Sequence, residues 1–213
     1  MGLDMYLRVE RNIDSGMLPE VTIENPEEGE YVSGYSFQGD EEKRMYAKVV
    51  AVAGLAEFAS KDTPSACVYP DRVEVTVGYW RKANAIHRWF VQECQGGVDE
   101  CQPSDPIPMG KIEELISLCQ QVIDQSEMHD GEIVTGTTHG PGSAVTVNTV
   151  DGQVLSESSA AMAKEILPTT SGFFFGSTEY DQYYISDLKR TVEILTKLRG
   201  LPEGCTIRYQ SSW

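Results

Sequence analysis

The spacing of apolar residues changes period within residues 72–97, and this change constrains the local fold more than any other feature. Apolar side chains first alternate along RVEVTVGY, a period of two that predicts a strand with one buried face. They then recur at helical spacing through YWRKANAIHRWFVQECQ, which predicts a helix over residues 79–95 that is ended by Gly96 and Gly97. A strand that passes directly into a helix exposes the amides of the first helical turn, which can bind an anion.

Further helices are predicted wherever apolar residues recur at three- and four-residue spacing. Such spacing occurs in residues 41–60, 111–125, 159–167 and 179–200. The first of these helices is weakened at Gly54, and Pro168 ends the third. The last is the clearest, with Arg199 in its final turn and Gly200 at its C-cap.

Further strands are predicted at both ends of the chain and in two glycine-rich segments. GLDMYLRVE alternates apolar and polar residues, and CTIRYQSSW closes the chain as a short strand. Residues 131–158 predict two short strands with a hairpin tip at Asp151–Gly152. SGFFFGST predicts a buried strand that leads into a turn. Because strands and helices follow no regular βαβ order, we expect an α+β fold: a single domain over residues 1–213, with a small mixed sheet and packed helices.

The distribution of charge excludes several kinds of partner. The chain of 213 residues has a net charge of −16, which predicts no general binding to nucleic acid or to an anionic membrane. Residues 71–95 nevertheless carry 4 basic and 3 acidic residues, and residues 169–213 carry 5 of each. An anionic ligand would therefore bind at one or both of these segments.

Several other classes of protein are disfavoured by what the sequence lacks. No apolar run is long enough to cross a bilayer, and the N-terminal one is too short for a signal peptide, so we expect a cytoplasmic protein. The five cysteines form no CxxC pair and the three histidines lack metal-ligand spacing, which predicts reduced thiols and no metal. The Walker A, GxGxxG, GxSxG and HExxH motifs are absent, so no cofactor is predicted.

The first candidate ligand-binding segment is the junction between strand and helix. Here Trp80 offers a flat ring for a base or sugar, Arg81 a cation for an anionic group, and Asn84 and His87 polar side chains on adjoining helical faces. Cations near a helix N-terminus oppose the macrodipole, a local conflict that is typical of functional sites. The alternative is that His87 and the tryptophans are packing residues and the cations are solvated.

The second candidate segment precedes the last helix. Gly176 permits close approach of the backbone to a ligand, Ser177 and Thr178 supply hydroxyls, and Tyr180 follows. The alternative is that Ser177 or Thr178 only caps the helix. Asp4 and Tyr6 of the N-terminal strand complete the set of candidates.

A catalytic role is open for one histidine. His87 could act as acid or base if the fold brought Asp4, Asp181 or Glu179 to it. His139 lies in the glycine-rich THGPGSA, which we interpret as a hairpin connection.

Several long segments resemble a family of uncharacterised phage and prophage-borne bacterial proteins. They are MGLDMYL, VGYWRKANAIHRWFV with GGVDEC after it, LPTTSGFFFGSTEYDQYYISDLKRTVE and YQSSW, about half of the chain. The resemblance implies no particular reaction. Residues of about 20–70 and 128–158 depart from the family's pattern, and we interpret them as insertions. A phage protein of this kind is expected to counter host defence, by mimicking DNA, binding a defence protein or binding a nucleotide signal.

Three hypotheses follow. The first is binding of a small anionic, nucleotide-like ligand, such as a defence signal that is sequestered, between the two candidate segments. The second is an acidic inhibitor that binds a host protein through the insertions and exposes an apolar patch there. The third is a hydrolase or transferase on a nucleotide-like substrate, with His87 as acid or base.

Overall fold

The computed structural model describes residues 2–13, 16, 29–33, 40–139 and 145–213. This part of the chain contains seven strands and five α-helices. In chain order they are β1 (Asp4–Asn12), β2 (Glu30–Ser33), α1 (Asp40–Val52), β3 (Ser65–Val68), β4 (Arg72–Arg81), α2 (Asn84–Cys94), α3 (Met109–Gln125), β5 (Met128–His139), β6 (Val145–Leu155), α4 (Glu157–Ile166), α5 (Gln182–Lys197) and β7 (Cys205–Ser212).

The main sheet has five strands in the order β2-β3-β4-β1-β7. All its pairings are antiparallel, so the α+β class is confirmed and the predicted mixed sheet is refined to an antiparallel one. The alternation in the first strand also holds, because Leu3, Met5, Leu7 and Val9 are fully buried. Helix α5 contacts α2, α3 and β4, and its buried Ile185, Leu188 and Leu195 join the same core.

Strands β5 and β6 form a separate two-stranded antiparallel sheet. The predicted hairpin tip at Asp151–Gly152 is wrong, because these residues lie within β6 and pair with Glu132 and Gly131. The paired residues His139 and Val145 end the ladder. The turn predicted after His139 falls on residues 140–144, which lie outside the described residues.

The junction after β4 differs from the prediction. Trp80 and Arg81 belong to the strand, since β1 pairs with β4 as far as Asp4 opposite Arg81. The amide of Lys82 then donates to the carbonyl of Leu3 at 2.8 Å, and Lys82 has a φ of 61°. Because a helix cannot contain this left-handed conformation, α2 begins only at Asn84.

Two other helices are shorter than predicted. Helix α1 ends at Val52 rather than near residue 60, because Gly54 has a φ of +66°. Helix α5 ends at Lys197 and passes into a 3-10 turn over Leu198–Gly200, so Gly200 is not the left-handed C-cap that the sequence predicted.

The segment before α5 is also different. SGFFFGST forms turns rather than a buried strand, and Phe173 is 96% exposed. The cap of α5 is neither Ser177 nor Thr178 but Asp181, whose side chain accepts from the amides of Tyr183 and Tyr184.

The two predicted insertions have different structural settings. Within residues 20–70, β2 and β3 extend the main sheet, whereas residues 128–155 form the separate β5–β6 sheet. Whether either segment is an insertion stays a prediction. None of the helices in the described ranges is long and apolar enough to cross a membrane.

Candidate functional site

A cavity of about 750 Å³ lies between the two segments that the sequence proposed as a site. One wall is the junction of β4 and α2, another is the middle of β5, and the third comes from the segment between Thr169 and Asp187. Of the predicted site residues, Arg81, Asn84, Gly176 and Ser177 line it. The two segments are therefore neighbours.

Asn84 joins the walls of the cavity. Its side-chain amide donates to the carbonyl of Phe175 at 3.0 Å and to that of Ser177 at 2.7 Å. Its side-chain oxygen accepts from the amide of Thr170 at 3.2 Å. Since Asn84 is only 4% exposed and both ends of its amide are occupied, it positions the segment from Thr170 to Ser177 rather than contacting a ligand.

Lys82 and Gly176 bring the backbones of the two segments close together. Both have positive φ, 61° at Lys82 and 86° at Gly176. A lysine in this conformation is uncommon, and such outliers cluster at functional sites. A Cβ atom on Gly176 would lie 3.2 Å from the Cβ of Lys82, so glycine is required here by both conformation and space.

Two cations lie in the lining of the cavity. Arg81 and Lys82 line it and are both exposed. Neither forms an ion pair within the described part of the chain, where other arginines do, such as Arg199 with Glu113 and Arg208 with Glu10. A guanidinium free of protein carboxylates can form a bidentate pair with an anionic ligand.

The cavity also has an acidic side. Asp181 and Asp187 line it, together with Glu179. Burial raises the pKa of Asp187 to about 7, with a further contribution from the charge of Asp181 and an opposing one from Arg190. The carboxyl group of Asp187 is therefore protonated in only part of the molecules near neutral pH. Groups with a strongly shifted pKa of this kind are concentrated at binding and catalytic sites.

Aromatic rings stand at the edge of the cavity. Phe173 and Tyr183 both line it and are 96% and 57% exposed. Exposed aromatic faces of this kind can stack on a flat ligand group. Tyr184 lies deeper, and its hydroxyl donates to the carbonyl of Leu167 at 2.9 Å.

Trp80 and His87 do not line the cavity. Trp80 is 1% exposed, and its indole donates to the hydroxyl of Thr191 at 3.0 Å. Its place on β4 rather than on a helix turns the ring into the core, so its predicted role as a ligand platform has no support from the geometry.

His87 is buried in a hydrogen-bonded group of its own. Its Nε2 lies 2.9 Å from the carboxylate of Asp99, and its Nδ1 lies 2.8 Å from the hydroxyl of Tyr209. Burial lowers the pKa of His87, while Asp99 opposes this shift. A neutral ring that donates to Asp99 and accepts from Tyr209 satisfies all three groups.

The sequence predicted the wrong partners for His87. Neither Asp4, Asp181 nor Glu179 is bonded to it, and the actual carboxylate, Asp99, also accepts from Ser211 and Trp213. Asp99 lies in GGVDEC, close to His87 along the chain, but Tyr209 is reached only through the pairing of β7 with β1.

Four other candidates also lie off the cavity lining. The carboxylate of Asp4 accepts from the hydroxyl of Tyr79 at 2.6 Å. The ring of Tyr6 packs against that of Tyr79, with the ring centroids 5.5 Å apart. Thr178 and Tyr180 act indirectly, because the carbonyl of Thr178 and the hydroxyl of Tyr180 both accept from Thr169, which does line the cavity.

The acidic side of the cavity was not predicted from the sequence, whereas Lys82, which neighbours the candidate Arg81, lines the cavity with it. Asp181 and Asp187 are six residues apart, and nothing in their spacing marks them as members of one site. The cations were predicted because the two segments are not acidic, unlike the rest of the chain.

Within the described ranges, no group of three or more His, Cys, Asp or Glu side chains could hold a metal ion. Comparison with protein-family models, curated proteins and solved structures finds no match to this chain. The resemblance to phage and prophage-borne proteins stays a prediction.

Proposed function

We propose that the protein binds a small anionic, nucleotide-like molecule in the cavity at the β4–α2 junction. The observation that carries this proposal is the pair of cations Arg81 and Lys82, which line the cavity without an ion pair among the described residues. In a chain of net charge −16, two neighbouring cations without carboxylate partners favour an anionic ligand at that place.

The size and lining of the cavity support the same ligand class. Its volume of about 750 Å³ lies within the range of about 300–1,000 Å³ that is typical of small-molecule sites. The exposed rings of Phe173 and Tyr183 could cover a base while Arg81 binds a phosphate. Phosphate and base would then be held within one cavity.

The biological role follows from the resemblance stated above. In a phage or prophage setting, a cytoplasmic protein that binds a nucleotide signal tightly would sequester it from the host's defence. The proposed role is sequestration because the geometry supports binding at the cavity more directly than it supports a reaction there.

Calorimetric titration of nucleoside mono- and diphosphates into the wild-type protein and Arg81 variants tests the proposal. A charge-assisted hydrogen bond contributes about 1.5–3 kcal/mol, so Arg81→Ala should weaken binding roughly ten- to a hundredfold. Arg81→Lys should restore only part of the affinity, because the fork is lost. The matched control is Arg88→Ala, which removes an exposed cation of α2 that does not line the cavity. Absence of nucleotide binding to the wild-type protein, or equal binding by Arg81→Ala, would contradict the proposal.

A second candidate function is binding of a host protein through the β5–β6 sheet. Val134, Val147 and Val150 of this hairpin are 37%, 54% and 45% exposed, and both strands lie within the segment interpreted as an insertion. Exposed apolar side chains on such a segment are the feature that the inhibitor hypothesis requires. Replacing Val147 and Val150 by Thr should abolish capture of a specific host protein and leave nucleotide affinity unchanged. Unchanged capture of the host protein together with weakened nucleotide binding would favour the cavity as the functional site.

The third hypothesis, a hydrolase or transferase with His87 as acid or base, gains no observation in its favour. The ring nitrogens of His87 are occupied by Asp99 and Tyr209, and His87 is not among the residues that line the cavity.

A further inference from the structure

The carboxylates that line the cavity indicate a more specific ligand than a simple anion. Asp181, Asp187 and Glu179 line the same cavity as Arg81 and Lys82. A site built for an anion alone would not place carboxylates in its wall, because they repel negative charge. The buried Asp181 and the half-buried Asp187 therefore indicate that one part of the ligand differs chemically from another.

Asp181 has an unused hydrogen-bond acceptor. It is 2% exposed, and its Oδ1 accepts from the amides of Tyr183 and Tyr184 at 2.8 and 3.1 Å. Its buried Oδ2 has no hydrogen-bond partner among the described residues. Buried polar atoms are nearly always paired, so an orphaned carboxylate oxygen at a cavity wall favours a ligand that brings a donor.

Asp187 offers a second acceptor nearby. No hydrogen bond reaches its carboxyl group from the side chains or backbone of the described residues. Arg190, the cation whose charge opposes the raised pKa of Asp187, is occupied by the carbonyl of Tyr79 and by Asp62. The Asp187 carboxyl therefore lines the cavity without a hydrogen-bond donor from the described residues.

We infer that the ligand is bipolar, with an anionic group that binds Arg81 and Lys82 and an N–H donor group that binds Asp181 and Asp187. This inference rests on the proposed function and narrows its ligand class. The amino-bearing edge of a purine nucleotide has this chemistry: a phosphate at one end and N–H donors at the other. A carboxylate accepts from such donors and rejects a base edge that lacks them, because an acceptor would be left unpaired.

The test is calorimetric titration with matched pairs of nucleotides that differ only in an exocyclic amino group. Adenosine 5′-monophosphate is compared with purine riboside 5′-monophosphate, and guanosine 5′-monophosphate with inosine 5′-monophosphate. Ribose 5-phosphate reports the anionic end alone. EDTA in every buffer removes any contribution from a metal ion.

The wild-type protein should bind the amino-bearing member of at least one pair ten times or more tightly than its analogue. Asp187→Leu should erase that preference without weakening the binding of ribose 5-phosphate. Glu193→Gln is the control, because Glu193 is an exposed acid of the same helix that does not line the cavity.

Two further variants keep the test decisive if Asp187→Leu does not fold. Asp187→Asn keeps one acceptor oxygen and should retain an intermediate preference. Asp181→Asn keeps the oxygen that caps α5 and replaces Oδ2 by a donor, so it should abolish the preference while the helix cap is retained.

The outcomes separate this inference from the proposed function. Ribose 5-phosphate could bind in a way that depends on Arg81 while neither pair shows a preference for the amino group. That result would refute the bipolar ligand and still support the anion site. Failure of every phosphate-bearing probe to bind would overturn both.

Discussion

Lys82 and Gly176 are in contact at the wall of the cavity, with both backbones in the left-handed region. A Cβ atom on Gly176 would lie 3.2 Å from the Cβ of Lys82. This close approach fixes where the β4–α2 junction meets the segment before α5. The position of Lys82, one of the two cations that line the cavity, therefore depends on a glycine 94 residues later in the chain.

Replacing Gly176 by Ala should destabilise the protein by about 1–2 kcal/mol, because its φ of +86° is unfavourable for any residue with a Cβ. Urea denaturation measures the loss. Gly110→Ala is the control: no atom lies within 4 Å of its Cβ position at the start of α3, and this change should be neutral or stabilising. Equal stability of Gly176→Ala and the wild-type protein would show that the contact does not position the two segments.

Replacing Asn84 by Ala should lower the free energy of unfolding by about 2–4 kcal/mol, because partly buried backbone groups of Thr170, Phe175 and Ser177 lose their partners. Thermal and urea denaturation report the effect. The exposed Arg88 on the same helix provides the control, since Arg88→Ala should change stability by less than about 0.5 kcal/mol. A loss for Asn84→Ala no larger than that of the control would refute this role for Asn84.

The strands and the amphipathic helices were predictable because their signals are local. Leu3, Met5 and Leu7 alternate in sequence and are buried on one face of β1. The apolar stripe of α5 is likewise visible without knowledge of what covers it. Such patterns depend only on which side of an element faces the core.

The errors lie where pairing between distant segments decides the structure. The start of α2 is set by β1, which pairs with β4 up to Arg81, so helical spacing alone placed the helix too early. The tip of the β5–β6 hairpin depends on a register that Asp151–Gly152 does not reveal. The group formed by His87, Asp99 and Tyr209 could not be predicted either, because β7 must pair with β1 before Tyr209 reaches the histidine.

Asp187 makes the stability of the protein depend on pH. Because its pKa is raised to about 7 in the folded protein, the folded state binds this proton more tightly than the unfolded state. Ionisation of Asp187 therefore lowers the free energy of unfolding as pH rises from about 4 to 7. The total loss, reached above that range, is at most about 4 kcal/mol.

Asp187→Asn should accordingly be more stable than the wild-type protein at pH 8, and the difference should narrow as pH falls towards 5.5. Urea denaturation at several pH values tests this prediction. The buried His87, whose pKa is lowered, makes stability fall below about pH 6.5 in both proteins and so cancels in the comparison. A difference that is constant with pH would contradict the prediction. The control is Asp105→Asn, which replaces an exposed acid away from the cavity.

Replacing Tyr209 by Phe should destabilise the protein by about 1–3 kcal/mol, since Nδ1 of the buried His87 loses its hydrogen bond. The stacking of this ring on Phe90, with centroids 4.2 Å apart, should be retained. Tyr31→Phe is a suitable control, because Tyr31 is 64% exposed. Calorimetric unfolding of the three proteins measures the effect, and a variant as stable as the wild-type protein would show that the bond contributes nothing.

Mapping of amide resonances during nucleotide titration is the decisive test of ligand binding in the cavity, because it locates the ligand without assuming a site. Adenosine and guanosine 5′-monophosphates are titrated into uniformly ¹⁵N-labelled protein, and each shifted resonance is assigned. We expect the largest shifts at residues 81–85, 134–136 and 169–187, which contribute the walls of the cavity, and their loss in Arg81→Ala. Shifts confined to surfaces away from the cavity, or no shifts at millimolar nucleotide, would contradict the account.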